Sequence, residues 1–213
     1  MPQVRFEISM SLDGFVAGPN RTVDQPLGEG GEGLHEWATR LASWRESHGL
    51  PGGEKNADDE IMAESQRNIG AVVMGRGMFG GDGPWGDDPW EGWWGDEPPF
   101  HGPVFVLTHH AREPLVKEGG TTFTFVTEGV EAAVEQALAA ADGKDVLVAG
   151  GASVAQQALA AGLVDELRIH IAPVLLGDGV RLFDGLGPDS VRLEGVRAIH
   201  SPAVTHLGYR VVK

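Results

Sequence analysis

The sequence predicts an α/β protein: a three-layer α/β/α domain built on a mostly parallel mixed sheet, with an antiparallel hairpin at its C-terminal edge. Three observations carry this expectation. Short apolar runs of strand character alternate with helical stretches through most of the chain, the pattern of parallel strands joined by crossover helices. The last apolar runs follow one another directly, which calls for antiparallel pairing. Gly is abundant, 32 of 213 residues, and collects in tight connections such as Gly28-Glu29-Gly30-Gly31, Gly80-Gly81-Asp82-Gly83 and Gly150-Gly151. There is no internal repeat and no long linker, so residues 1–213 read as one domain.

The elements follow in order. Val4, Phe6, Ile8 and Met10 alternate with Arg5, Glu7 and Ser9, which is a strand. It ends at Ser11-Leu12-Asp13-Gly14, and the chain continues through Phe15-Val16-Ala17 to the turn Gly18-Pro19-Asn20 and a Gly-rich loop. Leu34, Trp37, Leu41 and Trp44 recur at helical spacing, and Leu50-Pro51-Gly52-Gly53 breaks that helix. A second helix starts near Asp58-Asp59, where acids suit the positive end of the helix dipole, and runs to about Ile69. Ala71–Met74 is a short buried strand closed by Gly75-Arg76-Gly77. Val104–Thr108 and Phe123–Val126 are further strands, and the Ala-rich stretch Glu131–Ala141 is a helix. Asp145–Ala149 is an apolar strand leading into Gly150-Gly151 and a helix through Leu159. Strands at Leu167–Leu176, about Val191–His200 and Val204–Val212 complete the domain. The segment 80–103 stands apart: it carries Trp85, Trp90, Trp93 and Trp94 among Gly, Pro and Asp. It reads either as a lid packed on the domain or on a partner subunit, or as a wall for a flat aromatic substrate.

Composition narrows the function. Sixteen Lys and Arg against 31 Asp and Glu leave a net charge of −15, which repels phosphate backbones and anionic lipids. Nucleic-acid and membrane partners are therefore not expected, while a local pocket for one small anion is still open. With no Cys there is no disulfide, thiolate metal site or Cys nucleophile. No apolar run has the length of a signal peptide or a membrane span, and the expected location is the cytoplasm.

Three local signals carry chemistry. The first is Val146-Leu147-Val148-Ala149 followed by Gly150-Gly151-Ala152-Ser153 and a helix, where bare backbone and free N–H groups suit a phosphate. The alternative use of that Gly pair is close strand–helix packing. The second is Val72-Val73-Met74-Gly75-Arg76-Gly77, in which an Arg just beyond a buried strand, in a Gly loop, can hold a phosphate bidentately or simply pair with a surface acid. The third is Val106-Leu107-Thr108-His109-His110, a hydroxyl and two imidazoles at the carboxyl end of a strand, where open α/β sheets bind ligands. Adjacent His residues with no carboxylate at ligand spacing do not make a metal site, and none is expected.

Taken in order, Ser11-Leu12-Asp13-Gly14-Phe15-Val16-Ala17, Val-Val-Met-Gly-Arg, Val-Leu-Thr and Val-Ala-Gly-Gly-Ala-Ser resemble the dihydrofolate reductase-like superfamily. Within it they look most like the C-terminal reductase domain family of bacterial riboflavin biosynthesis (RibD). Leu163-Val164-Asp165-Glu166-Leu167 and Ala172-Pro173-Val174-Leu175-Leu176-Gly177-Asp178-Gly179 fit the same branch, so the likeness spans nearly the whole chain. The resemblance implies an NADPH site. Val16 and Ala17 would offer backbone groups to the nicotinamide carboxamide, beside Ser9. Arg76 and Gly77 would reach the adenosine 2′-phosphate, with Thr108 adding a hydroxyl, and the neighbouring Gly75 and Leu107 would also belong to the cofactor site. Gly150, Gly151, Ala152 and Ser153 would cradle the pyrophosphate. Met78 stands where the family usually has Thr, which removes one hydroxyl.

The resemblance also implies a reaction: hydride reduction of 5-amino-6-(5-phosphoribosylamino)uracil or a related small heterocycle, pyrimidine- or pteridine-like. Dihydrofolate reductase itself and a non-catalytic dinucleotide-binding protein of the same fold are the other readings. The helix acid of dihydrofolate reductases, 16 residues before the strand-ending Gly, maps to Asp59, which as a residue type equally suits a helix cap. Asp13 is a second candidate acid or else a turn cap. The C-terminal strands, with Ile169, Ile171, Val174, Leu176, Val204, Leu207, Tyr209 and Val211, carry more apolar residues than an exposed edge should, so a homodimer is expected.

Overall fold

The computed structural model describes residues 1–81, 83–87, 89–187 and 191–213; Asp82 and Asp88 of the Trp-rich segment lie outside them. The strands are β1 (Val4–Ser11), β2 (Phe15–Ala17), β3 (Ile69–Gly75), β4 (Pro103–Leu107), β5 (Leu115–Val116), β6 (Thr122–Val126), β7 (Asp145–Gly150), β8 (Glu166–Ala172), β9 (Val180–Arg181), β10 (Arg192–His200) and β11 (Thr205–Val212). The helices are α1 (Glu36–Thr39), α2 (Ala42–Ser47), α3 (Ala57–Gln66), α4 (Arg76–Phe79), α5 (Val130–Ala140) and α6 (Ala152–Ala160). Nine strands form one sheet in the order β10-β11-β8-β1-β7-β3-β4-β6-β5, and β2 pairs with β9 alongside. From β8 through β6 the neighbours are parallel. The hairpin β10–β11 adds antiparallel to β8, and β5 adds antiparallel to β6. The mostly parallel sheet with a C-terminal antiparallel hairpin is thus as expected.

Both faces of the sheet are covered. On one, Val4, Phe6, Val73, Val146 and Val148 pack with the buried side of α5 and α6 into the main core. On the other, Val72, Met74, Val104, Val106 and Phe123 form a second core under Phe79 and the Trp-rich segment. Further along that second face, α1 to α3 cover β1, β8 and β11 with Trp37, Ala38 and Leu41. Close packing explains one Gly: a Cβ on Gly70 would overlap the Ala141 carbonyl.

Three expectations need correction. The helix expected from Leu34 to Trp44 is a 3₁₀ turn at Gly31–Leu34 followed by the two short helices α1 and α2. Leu34, Trp37 and Leu41 are buried as their spacing demands, but Leu41 is extended (φ −74°, ψ 146°) and bridges to Glu54, which splits the helix. Gly75-Arg76-Gly77 is not a loop, because Arg76 opens the short helix α4. The apolar residues of the C-terminal strands are largely covered within the monomer: Ile169, Val204 and Val211 are buried, and Leu207 and Tyr209 pack against the main core. β8 and β11 are interior strands; the edge is β10, with Leu193 and Val196 exposed.

Candidate functional site

Parallel strands end together, so β3, β4 and β7 deliver their C-terminal residues to one place. A cleft of about 650 Å³ opens there, within the range of small-molecule sites. It is lined by Gly75, Arg76 and Gly77 at the end of β3 and by Leu107 and Thr108 at the end of β4. Gly150, Gly151, Ala152 and Ser153, at the junction of β7 and α6, line one side, and Val16 and Ala17 of β2 line the other. The structure therefore brings eleven of the twelve residues assigned to the cofactor into one cleft. The twelfth, Ser9, does not line it; its Oγ accepts a hydrogen bond from Trp37 Nε1 (3.1 Å) and faces a second cleft.

The first cleft fits an elongated anion. A Cβ on Gly151 would meet nothing within 4 Å, so bare backbone faces open space at the start of α6, where free N–H groups point outward. Arg76 lines the cleft, and its guanidinium is stacked 3.7 Å from the centre of the Trp85 ring with Nε and Nη1 buried. Arg21, not singled out by sequence reasoning, supplies a second cation: it lines the cleft and donates to the Gly77 carbonyl (3.0 Å) and the Pro26 carbonyl (2.8 Å). Its place after the turn Gly18-Pro19-Asn20 was the available signal. Thr108 is buried, and its hydroxyl accepts from the His110 N–H (3.2 Å) while lining the cleft.

A second cleft, of about 680 Å³, runs beneath α1–α3 and the 99–103 segment, against the polar face of β1. Its wall includes Glu7, Ser9, Trp37 and His170. The two clefts share Ile8, His35, Met78, Trp94 and Ala149, so they meet just behind Gly150. His35 stands at that seam, and its Nδ1 is buried with no hydrogen-bond partner among the described residues. Burial, and then the nearby charge of His170, hold its pKa below the ordinary imidazole value, so it is neutral at pH 7.

The Trp-rich segment closes over this region, and each indole that donates is pinned to a backbone carbonyl: Trp85 to His110, Trp90 to Phe79 and Trp93 to Met78. Trp94 stacks near Phe123. The segment is a lid packed on the domain, and through Trp93 and Trp94 it also walls the clefts.

The two candidate acids lie elsewhere. Asp13 accepts from Ser11 Oγ (2.6 Å), Leu176 N (3.2 Å) and Gly177 N (2.7 Å). The Ser11 hydroxyl first, then these amides, lower its pKa to about 2. Asp59 accepts from the Ser43 N–H (2.7 Å) and so caps the start of α2 from the neighbouring helix. Neither carboxylate is among the residues lining the two clefts. Among the described residues there is no cluster able to hold a metal ion and no helix long and apolar enough to cross a membrane.

Comparison with solved structures gives the same architecture. A riboflavin biosynthesis protein from Shewanella sp. PV-4 is 23% identical over the whole of both chains, with a TM-score of 0.62. The diaminohydroxyphosphoribosylaminopyrimidine deaminase/5-amino-6-(5-phosphoribosylamino)uracil reductase of Thermotoga maritima is 17% identical with a TM-score of 0.59. The match takes in 99% of this chain but only 57% of that one. Dihydrofolate reductase from Enterococcus faecalis, solved with NADP(H), matches at a TM-score of 0.52 and 16% identity, over 99% and 97% of the two chains. No curated protein matches in sequence at a significant level. Residues 2–206 match the RibD C-terminal domain, and the chain belongs to that family.

Proposed function

We propose that this RibD-family oxidoreductase uses NADPH to reduce a small heterocyclic substrate of the aminouracil type, 5-amino-6-(5-phosphoribosylamino)uracil by likeness to its structural neighbours, and does so in the cytoplasm as a homodimer. The observation that carries the reading is the meeting of two clefts at Ile8, His35, Met78, Trp94 and Ala149. One cleft has the bare backbone and cations suited to a dinucleotide, and the other has the polar wall suited to a heterocycle. When bound, the nicotinamide supplies a hydride. The chain's own part is to hold the pyrophosphate on the Gly150–Ser153 backbone and the 2′-phosphate near Arg76 and Thr108. The rings then face each other across the seam, and the Trp lid keeps water out. Asp13 and Asp59 act in this reading through the backbone they hold, Asp13 fixing the turn at Leu176–Gly177 and Asp59 the start of α2.

The test is NADPH oxidation followed by absorbance against a panel of pyrimidines and pteridines. Turnover with the aminouracil supports the proposal. Turnover with dihydrofolate alone would reassign the substrate, and tight NADPH binding with no turnover on any compound would identify a non-catalytic dinucleotide-binding protein.

A further inference from the structure

The polar face of β1, β8 and β11 is buried under α1–α3, and it brings together four titratable side chains far apart in sequence. His206 and His170 are register partners on adjacent strands. Glu7 Oε1 lies 2.7 Å from His170 Nε2, His170 Nδ1 lies 2.7 Å from His206 Nδ1, and His206 Nε2 lies 3.1 Å from Asp58 Oδ1. All four side chains are at most 11% exposed. Trp37 packs on both imidazoles, with ring centres 4.9 and 5.1 Å away.

Counting protons defines the state of this row. Three hydrogen bonds need three protons, whereas two neutral imidazoles carry two. If each neutral imidazole donated its single N–H to its carboxylate, two Nδ1 lone pairs would face each other at 2.7 Å. With both carboxylates ionised, the pair must therefore hold one extra proton, one ring being imidazolium and the other imidazole. The surroundings say which. Burial, then the charge of His170, push the pKa of His206 down despite Asp58, so His206 is the neutral ring. Burial would raise Glu7, but the hydrogen bond and charge of His170, with Arg168 behind it, leave its pKa lowered. The other charged groups facing the row are Arg197 toward His206 and Arg168 with its partners Glu64 and Glu166, and neutral His35 lies toward His170.

The row has two ends. Glu7 and His170 line the second cleft, while Asp58 accepts from Ser201 Oγ (2.9 Å), which is partly exposed. We propose that Glu7, His170, His206 and Asp58 form a one-proton store that gives its proton, from the Glu7–His170 end, to the ligand in the second cleft and regains it at that same end from water once the product has left, while Asp58 and Ser201 hold the far end of the row in place. The role rests on the reductase reading. Hydride addition to a C=O or C=N carbon leaves the electron pair of the broken π bond on the heteroatom, and one proton there completes the two-electron reduction. His170 and Glu7 would be the groups that touch the ligand; His206 and Asp58 are positioning residues.

Two measurements on the full chain test this. Nitrogen-15 NMR of the imidazoles should show one ring protonated on both nitrogens and its neighbour on Nε2 only at neutral pH. Replacement by His206→Gln should abolish that pattern, and two neutral rings titrating independently in the parent protein would overturn the store. The delivery role is tested by Asp58→Asn, which is isosteric and outside both clefts, with Ser201→Ala as a milder second variant. Expected are an unchanged NADPH dissociation constant, an unchanged KM for the aminouracil, at least a tenfold fall in kcat and a shifted pH profile of kcat. A change in KM or melting temperature with an unmoved kcat profile would reduce the row to a structural element. Failure of the parent protein to oxidise NADPH with any substrate would refute the reductase reading and delivery together, while the NMR result would still decide the store.

Discussion

Gly151 offers a clean separation of binding from folding. It is the residue before α6, with φ −76° and ψ −166°, a conformation open to any L residue, and an added Cβ meets nothing within 4 Å. Replacing it by Val therefore costs the folded protein little, within about 1 kcal/mol either way, because the loss of unfolded-chain freedom offsets small packing changes. The branched side chain would instead stand where the proposed function puts the pyrophosphate, against the backbone N–H groups of the first α6 turn. Charged hydrogen bonds are worth about 1.5–3 kcal/mol each, so blocking two removes roughly 3–6 kcal/mol. That is about a hundredfold to ten-thousandfold in the dissociation constant. Gly151→Ala, with a single methyl, should fall between the parent and Gly151→Val. The assay is NADPH fluorescence titration alongside thermal unfolding of the same samples. Gly70→Ala is the counter-control: its Cβ would strike the Ala141 carbonyl, so it should lower stability and leave cofactor affinity alone in the molecules that fold. A folded Gly151→Val that binds NADPH as tightly as the parent would refute the cradle and assign the Gly pair to packing.

Arg76→Ala should reduce the preference for NADPH over NADH by about 1–3 kcal/mol, the scale of one charged hydrogen bond; equal affinities for both cofactors in the parent would sink this assignment. The depressed pKa of Asp13 contributes stability that is present above its ordinary value of 3.8 and lost as pH falls toward about 2. Asp13→Asn should flatten that part of the acid-unfolding curve, and an identical curve would show that the turn does not depend on the charge. Asp59→Asn should cost about 0.5–2 kcal/mol through the weakened cap on Ser43 and leave the rate constant for NADPH oxidation unchanged; a collapse of that rate would restore Asp59 as an acid of the reaction. Sedimentation equilibrium should give twice 22.6 kDa for the homodimer, and a species that stays at the single-chain mass would refute it.

Much of the fold was legible because its signals are local. The alternation in Val4–Met10, the apolar runs at Val72, Val104 and Val146, and the Ala-rich stretch at 131–141 each state their own period. The place of the first cleft was legible for a related reason: Gly75-Arg76-Gly77, Leu107-Thr108 and Gly150–Ser153 all stand at strand ends, and parallel strands must present their carboxyl ends on one side. What tertiary structure decided is the second cleft. Glu7, Ser9 and Arg5 alternate with apolar neighbours, and sequence says only that they share a face. The packing of α1–α3 over that face turns it from a surface into a buried wall. Glu7 and His170 are 163 positions apart, and Asp58 and His206 are 148 apart, so no spacing rule connects them. His35 stood in a segment read as the start of a continuous helix, whose break at Leu41 follows from a bridge to Glu54. The same holds for the acids: Asp59 and Asp13 have the right residue type, but side-chain direction is set by Ser43, Leu176 and Gly177, which only the folded chain brings within reach. Strand periods and turn residues are written in neighbouring positions, whereas charge state and burial depend on groups that meet only when the sheet is assembled.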